Sequence, residues 1–141
     1  ETLSPSANNL QPWHIIVVRD PERRAALSGG LWGRFLKEAP VIIVGCGNRK
    51  ESKHWCRVDT SIALQTLVLA ATAEGLGTCW VGDFREEKAK ALLGIPDDYE
   101  IVCLIAMGYE RRRADLARAA AGGAKRKDMA SIVSYDVFGR R

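Results

Sequence analysis

Pro40-Val41-Ile42-Ile43-Val44-Gly45-Cys46 is an unbroken apolar run bounded by Pro and Gly. A strand with one wet face alternates apolar and polar residues, whereas an unbroken run fits a strand covered on both faces. The chain must therefore build layers on either side of a sheet. Trp13 to Val18 is a second apolar, β-branched run, and Asp20-Pro21 after it supplies an N-cap and a first helical residue, which predicts a helix to about Gly29-Gly30. From Asp59 to Leu76 the apolar residues recur at helical spacing, with Ala and Leu nearly all round and Gly75 and Gly77 at the end. Such a helix is buried on most sides, within the domain or against a second subunit. Thr78 to Val81 predicts a short strand, Arg85 to Leu93 a helix stopped by Gly94 and Pro96, and Glu100 to Met107 a further strand. Strands and helices alternate around a central sheet, so the class is α/β or α+β.

The 141 residues, 47% hydrophobic and 27% charged, suit one globular domain spanning 1–141. The apolar stretches Pro40 to Cys46 and Ile62 to Ala73 are too short, or broken by Gln65 and Thr66, to approach the roughly 20 residues of a membrane span. The net charge of +4 is uneven: from Gly108 onward nine basic residues face four acidic ones, +5, which leaves −1 for the rest. Residues 110–127, with Ala119 to Gly123, are low in apolar bulk and read as a basic, mobile connector. In the C-terminal arm, 128–141, Ser131 to Tyr135 reads as a final strand or an extended arm. Cys46, Cys56, Cys79 and Cys103 show no CxxC spacing, and three lie in apolar runs, which fits a reducing cytoplasm. No apolar leader opens the chain, and its start at Glu1 without a Met predicts that the true N-terminus lies further upstream.

Three segments carry groups suited to ligand chemistry. Ser4 to Trp13 presents hydroxyls and amides on a backbone stiffened at Pro5 and Pro12, suited to a polar planar ring, although taken alone such a cluster reads first as a turn. Gly75 to Phe84 passes from a helix end through a short strand to Gly82-Asp83, where a backbone without Cβ lets a cofactor approach a peptide N–H; its bland reading is a turn glycine. GxGxxG and GxxxxGK[ST] are both absent. Lys125-Arg126-Lys127 after Gly122-Gly123 could grip a phosphate, or be solvated surface. It lacks the interleaved aromatics of a nucleic-acid patch, so no nucleic acid is expected. His14 and His54 belong to no metal motif, and no hydrolase triad assembles, so neither a metal nor a catalytic side chain is expected.

The order of these pieces is more informative than any one of them. Ser4-Pro5-Ser6-Ala7-Asn8-Asn9-Leu10-Gln11-Pro12-Trp13-His14, then Ala39-Pro40-Val41-Ile42, Asp59 to Ala71, Gly75-Leu76-Gly77-Thr78-Cys79-Trp80-Val81-Gly82, Leu93-Gly94-Ile95-Pro96 and Met107-Gly108-Tyr109 closely resemble the nitroreductase family of FMN-dependent oxidoreductases. The resemblance runs to about Tyr109. It implies an α+β fold, with a mixed or antiparallel sheet flanked by helices, and an intertwined homodimer holding FMN at its interface. Carried over by position, Pro5, Ser6, Ala7 and Asn9 resemble the loop that reaches the flavin of the opposite subunit, with Gln11 in support. Val81, Gly82 and Asp83 resemble the segment whose backbone faces flavin N5. Lys125, Arg126 and Lys127 resemble the basic phosphate contact.

The implied activity is hydride transfer from NADH or NADPH through flavin N5 to a nitroaromatic, a quinone or a similar small acceptor, in alternating half-reactions. The flavin carries the redox chemistry, consistent with the lack of catalytic side chains. Trp32, Phe35, Trp55 and Phe84 are candidates for the substrate channel, or for core and interface packing. The Arg-rich RxSxR segment that binds the FMN phosphate in the family has no match here, and neither has the insertion of larger members, so the chain reads as a compact member. Two other readings follow from the same resemblance: a specialised member that spends reduced FMN on oxygen-dependent chemistry, and a flavin-binding module without turnover.

Overall fold

The computed structural model describes residues 3–29, 33–109 and 126–140. The chain divides into two compact units, Glu1–Glu110 and Arg111–Arg141. The first holds four strands, β1 (Trp13–Val18), β2 (Val41–Asn48), β3 (Gly77–Val81) and β4 (Tyr99–Gly108), and three helices, α1 (Pro21–Leu27), α2 (Cys56–Ala73) and α3 (Glu86–Leu93). Ala7–Asn9 and Gly33–Glu38 are short 3-10 segments.

All strand pairs are antiparallel and the sheet order is β1-β2-β4-β3. The run that demanded two covered faces is β2, an inner strand, and every one of its residues after Val41 is buried. Val18, Leu27, Leu36, Ile42, Val44, Cys46, Val81, Ala89, Ile101, Leu104 and Ala106 fill one layer, with α1, the Gly33–Glu38 turn and α3 above them. Ile43, Leu64, Cys103 and Ile105 fill the other, under α2. A bulge reconciles the two layers: Gly45 sits opposite Cys103 but Cys46 opposite Ile101, so Val102 has no partner. In a regular strand Ile101 and Leu104, three positions apart, would point to opposite faces, because side chains alternate along a strand.

Local chemistry sets the ends of the elements. Asp20 caps α1, its side chain accepting from Arg23 N–H at 2.8 Å, and Pro21 takes the first helical position. α3 stops at Gly94, whose φ of 67° is left-handed and favours glycine. α2 differs from expectation by three residues at each end, running Cys56–Ala73 rather than Asp59 to Leu76. Its start carries no side-chain cap. The Asn48 carboxamide accepts from Lys50 N–H, and Ser52 O accepts Cys56 N–H, so the preceding turn itself opens the helix.

In the second unit, the strand that is one of two readings of Ser131 to Tyr135 is not formed, while Val133 is extended, at φ −119° and ψ 135°. Met129–Ile132 is a single helical turn, here α4, because the Asp128 carboxylate caps it by accepting from Ala130 N–H at 3.4 Å. The connector expected over 110–127 lies outside the described residues except for Arg126 and Lys127, and Trp32 lies outside them as well. No described helix is long and apolar enough to cross a membrane.

Candidate functional site

The loop before β1 is organised by its own polar groups. Ser6 Oγ accepts from Gln11 N–H at 2.9 Å, Ser6 O from Asn9 N–H at 3.0 Å, and Gln11 Nε2 donates to Asn9 Oδ1 at 3.2 Å. These bonds hold Asn8, Asn9 and Gln11 at φ values of 51°, 54° and 51°. Left-handed backbone is tolerable for Asn and costly for Gln, and three such residues in four positions make a strained, preformed loop. Among the described residues, two hydrogen bonds tie it to the rest of the unit. Asn48 N–H donates to Pro12 O at 2.7 Å, and Asp59 Oδ1 accepts from Ala7 N–H at 3.1 Å.

Asp59 belongs to the first turn of α2, where a carboxylate is favoured by the helix dipole. It is only 3% exposed, and its second oxygen, Oδ2, is buried without a partner among the described residues. Pro5, Ser6 and Ala7 on one side and Trp55, Val58, Asp59 and Ile62 on the other line a groove of about 240 Å³. Farther along α2, Arg57, Val58, Ser61, Ile62 and Gln65 border a second open groove. The Arg57 guanidinium is fixed there by Glu100, at 2.9 Å, which raises its pKa further; the neighbouring Cys56 thiol is pushed up by burial and by the same carboxylate.

The α2 face that borders these grooves is apolar and uncovered. Trp55 is 55% exposed and Leu69 62%, with Val58 and Ile62 between them, at the spacing of one helical stripe. The sequence placed apolar residues nearly all round this helix. The structure separates them into Ala63, Leu64 and Ala71, which are buried, and this second stripe, which is exposed among the described residues.

Val81, Gly82 and Asp83 end β3 at the opposite edge of the sheet. Val81 is in the core, and Gly82 and Asp83 are exposed. Nothing lies within 4 Å of where a Gly82 Cβ would stand, so the backbone there is open to a flat ligand. Asp83 O lies beside Gly33, on the layer opposite α2. The single chain therefore does not bring the two segments together. The loop 4–12 joins edge strand β1 and α2, whereas Gly82 and Asp83 leave edge strand β3. Three interstrand spacings of about 4.8 Å put those edges about 14 Å apart.

Arg126 and Lys127 are exposed in the second unit, and Lys125 lies outside the described residues. Of the aromatic channel candidates, Trp55 lines the groove, Phe84 packs on the core and Phe35 is exposed on the 3-10 segment. Sequence reasoning missed Asp59 as a site residue. Its signal was a carboxylate at the head of an otherwise apolar helix. The described residues hold no cluster of His, Cys, Asp or Glu able to bind a metal.

The sequence profile of the nitroreductase family matches residues 25–109, which include α2 and the Val81 to Asp83 segment. This chain belongs to the nitroreductase family. An Archaeoglobus fulgidus protein provisionally named NADH dehydrogenase/NAD(P)H nitroreductase is 40% identical over 126 residues, covering 83% of this chain and 72% of its own. The Thermus thermophilus protein named NADH dehydrogenase is 33% identical over 143 residues, covering 75% and 70%. Among solved structures, an FMN-dependent nitroreductase of Clostridium difficile R20291 superposes with a TM-score of 0.79 at 29% identity, covering 96% of this chain and 82% of the other. Family membership places the chain among the oxidoreductases and agrees with the α+β architecture found here.

Proposed function

We propose that this member of the family is an FMN-dependent oxidoreductase that uses NADH or NADPH to reduce a nitroaromatic, a quinone or a similar small acceptor, as a homodimer with two equivalent flavin sites at its subunit interface. The observation that carries this reading is the split of the candidate site between opposite sheet edges, beside an uncovered apolar helix face. A second copy laid on α2 would cover Val58, Ile62 and Leu69 and could bring its own Gly82 to the groove.

The residues present suit the cofactor. Ser6, Asn9 and Gln11 offer hydroxyl and carboxamide groups for the polar edge of a heteroaromatic ring, and Trp55, Val58 and Ile62 exclude water from its faces. The open backbone at Gly82, between Val81 and Asp83, lets a peptide N–H approach the ring without obstruction by a Cβ. Lys125, Arg126 and Lys127 supply charge for a phosphate. A bound flavin would supply two-electron redox chemistry between the nicotinamide and the acceptor. The chain's own contribution is binding, orientation and exclusion of water, which needs no catalytic acid or base. Four free cysteines are in keeping with a reducing cytoplasm.

The test is an absorption spectrum of the protein with added FMN, mixed anaerobically with NADH or NADPH. The blue-region flavin band is expected to bleach and to return on addition of a quinone or nitroaromatic. Bound flavin that ignores both nicotinamides would contradict the proposed activity.

A further inference from the structure

We infer that Asp59 is the positioning residue of the loop 4–11, holding the shape of that loop through the Ala7 N–H. The inference rests on the proposed flavin-site reading for its consequence, but not for its geometry. Within the loop, the Gln11–Ser6, Asn9–Ser6, Gln11–Asn9 and Leu10–Ala7 bonds are internal: they define a shape, without attaching it to anything. Among the described residues two hydrogen bonds attach it. One, Asn48 N–H to Pro12 O, fixes the far end where β1 begins. The other, Ala7 N–H to Asp59 Oδ1, is a contact between residues 52 apart in sequence, and it fixes the near end beside the groove. Asn8, Asn9 and Gln11 hold left-handed backbone between those two points. Such backbone is tolerable for the two Asn residues and costly for Gln11, and it persists there only where the surroundings enforce it. Release of the Ala7 tie frees the strained half of the loop to relax.

The burial of Asp59 points the same way. A carboxylate 3% exposed with one oxygen unpartnered among the described residues is a poor choice for stability alone, since an apolar residue of similar size would avoid the desolvation cost. What an apolar residue cannot do is accept from Ala7. The charged acceptor also makes that bond stronger than a neutral one. Asp59 itself need not touch a ligand; it acts through the backbone of Ser6 and Ala7, which line the same groove.

The test uses the flavin-free full chain and two substitutions. Asp59→Asn keeps an acceptor for Ala7 N–H, and Asp59→Leu removes it. Amide hydrogen exchange over residues 6–11 is expected to rise at least tenfold in Asp59→Leu and less than threefold in Asp59→Asn, with exchange in β2 and β4 unchanged in both. FMN dissociation constants should follow in the same order, with Asp59→Leu weaker by about tenfold. A loop whose exchange does not respond to Asp59→Leu, or an Asn variant as damaged as the Leu variant, would overturn the inference. If Asp59→Leu does not fold, Asp59→Glu takes its place: the longer side chain misplaces the acceptor, and unchanged exchange over 6–11 would be equally fatal. If even the parent chain binds no FMN, the flavin-site reading fails while the exchange data still decide the role of Asp59.

Discussion

Cys46, 1% exposed between the central strand and the helix layer, has its thiol pushed up to about 11 from 9.0, mainly by burial. The Cys56 and Cys103 thiols are raised as well, also mainly by burial. A raised thiol pKa means that the unfolded chain loses its proton first, so the folded state loses stability as pH climbs from 9 through 11. Cys46 alone accounts for about 2–3 kcal/mol of that loss at about 1.4 kcal/mol per pH unit. Denaturant midpoints are expected to fall across this window, and Cys46→Ala to flatten the slope while lowering stability at neutral pH. Gly45 answers to packing instead. A Cβ there would stand 2.5 Å from Leu64 Cδ1, so Gly45→Ala forces Leu64 off the sheet and should cost about 1–3 kcal/mol in equilibrium unfolding. The sequence marked Gly45 only as the edge of a strand signal. Its role depends on α2 crossing above it, which no local pattern records.

At the level of elements, strands and helix ends marked by Pro, Gly or an Asp cap were legible: β2 after Pro40, α1 after Asp20-Pro21, α3 before Gly94. Where the signal was tertiary, legibility failed. The start of α2 has no side-chain cap, the Val102 bulge exists only through pairing, and the turn at Met129–Ile132 hid inside a β-branched string. The excess apolar surface of α2 was visible in the sequence, but which residues face outward was not, because Leu and Ala lie nearly all round. Leu69 belongs to the outward stripe and makes no part of either buried cluster. Leu69→Lys should therefore leave the thermal midpoint of the isolated chain almost unchanged and weaken self-association at least tenfold in sedimentation velocity. Parent protein that is monomeric at every concentration would contradict the interface assigned to this face.

For the whole molecule, the candidate site is a matter of topology. The sheet order puts the polar loop and the open Gly82 backbone at edges about 14 Å apart, so in the proposed reading each chain contributes one segment to each of two sites. The sequence singled out both segments but could not tell that β1 and β3 are the two edges. The most direct measurement is complementation between two inactive variants. Ser6→Trp fills the groove, and Gly82→Trp obstructs the open backbone without meeting any atom within 4 Å at its Cβ. Unfolded together and refolded as a mixture, half of the dimers pair unlike chains, and each of these holds one site with both lesions and one with neither. The account predicts that the mixture recovers roughly a quarter of the parent NAD(P)H oxidation. A mixture as inactive as its components would contradict it, because it would mean that both segments serving one flavin come from the same chain.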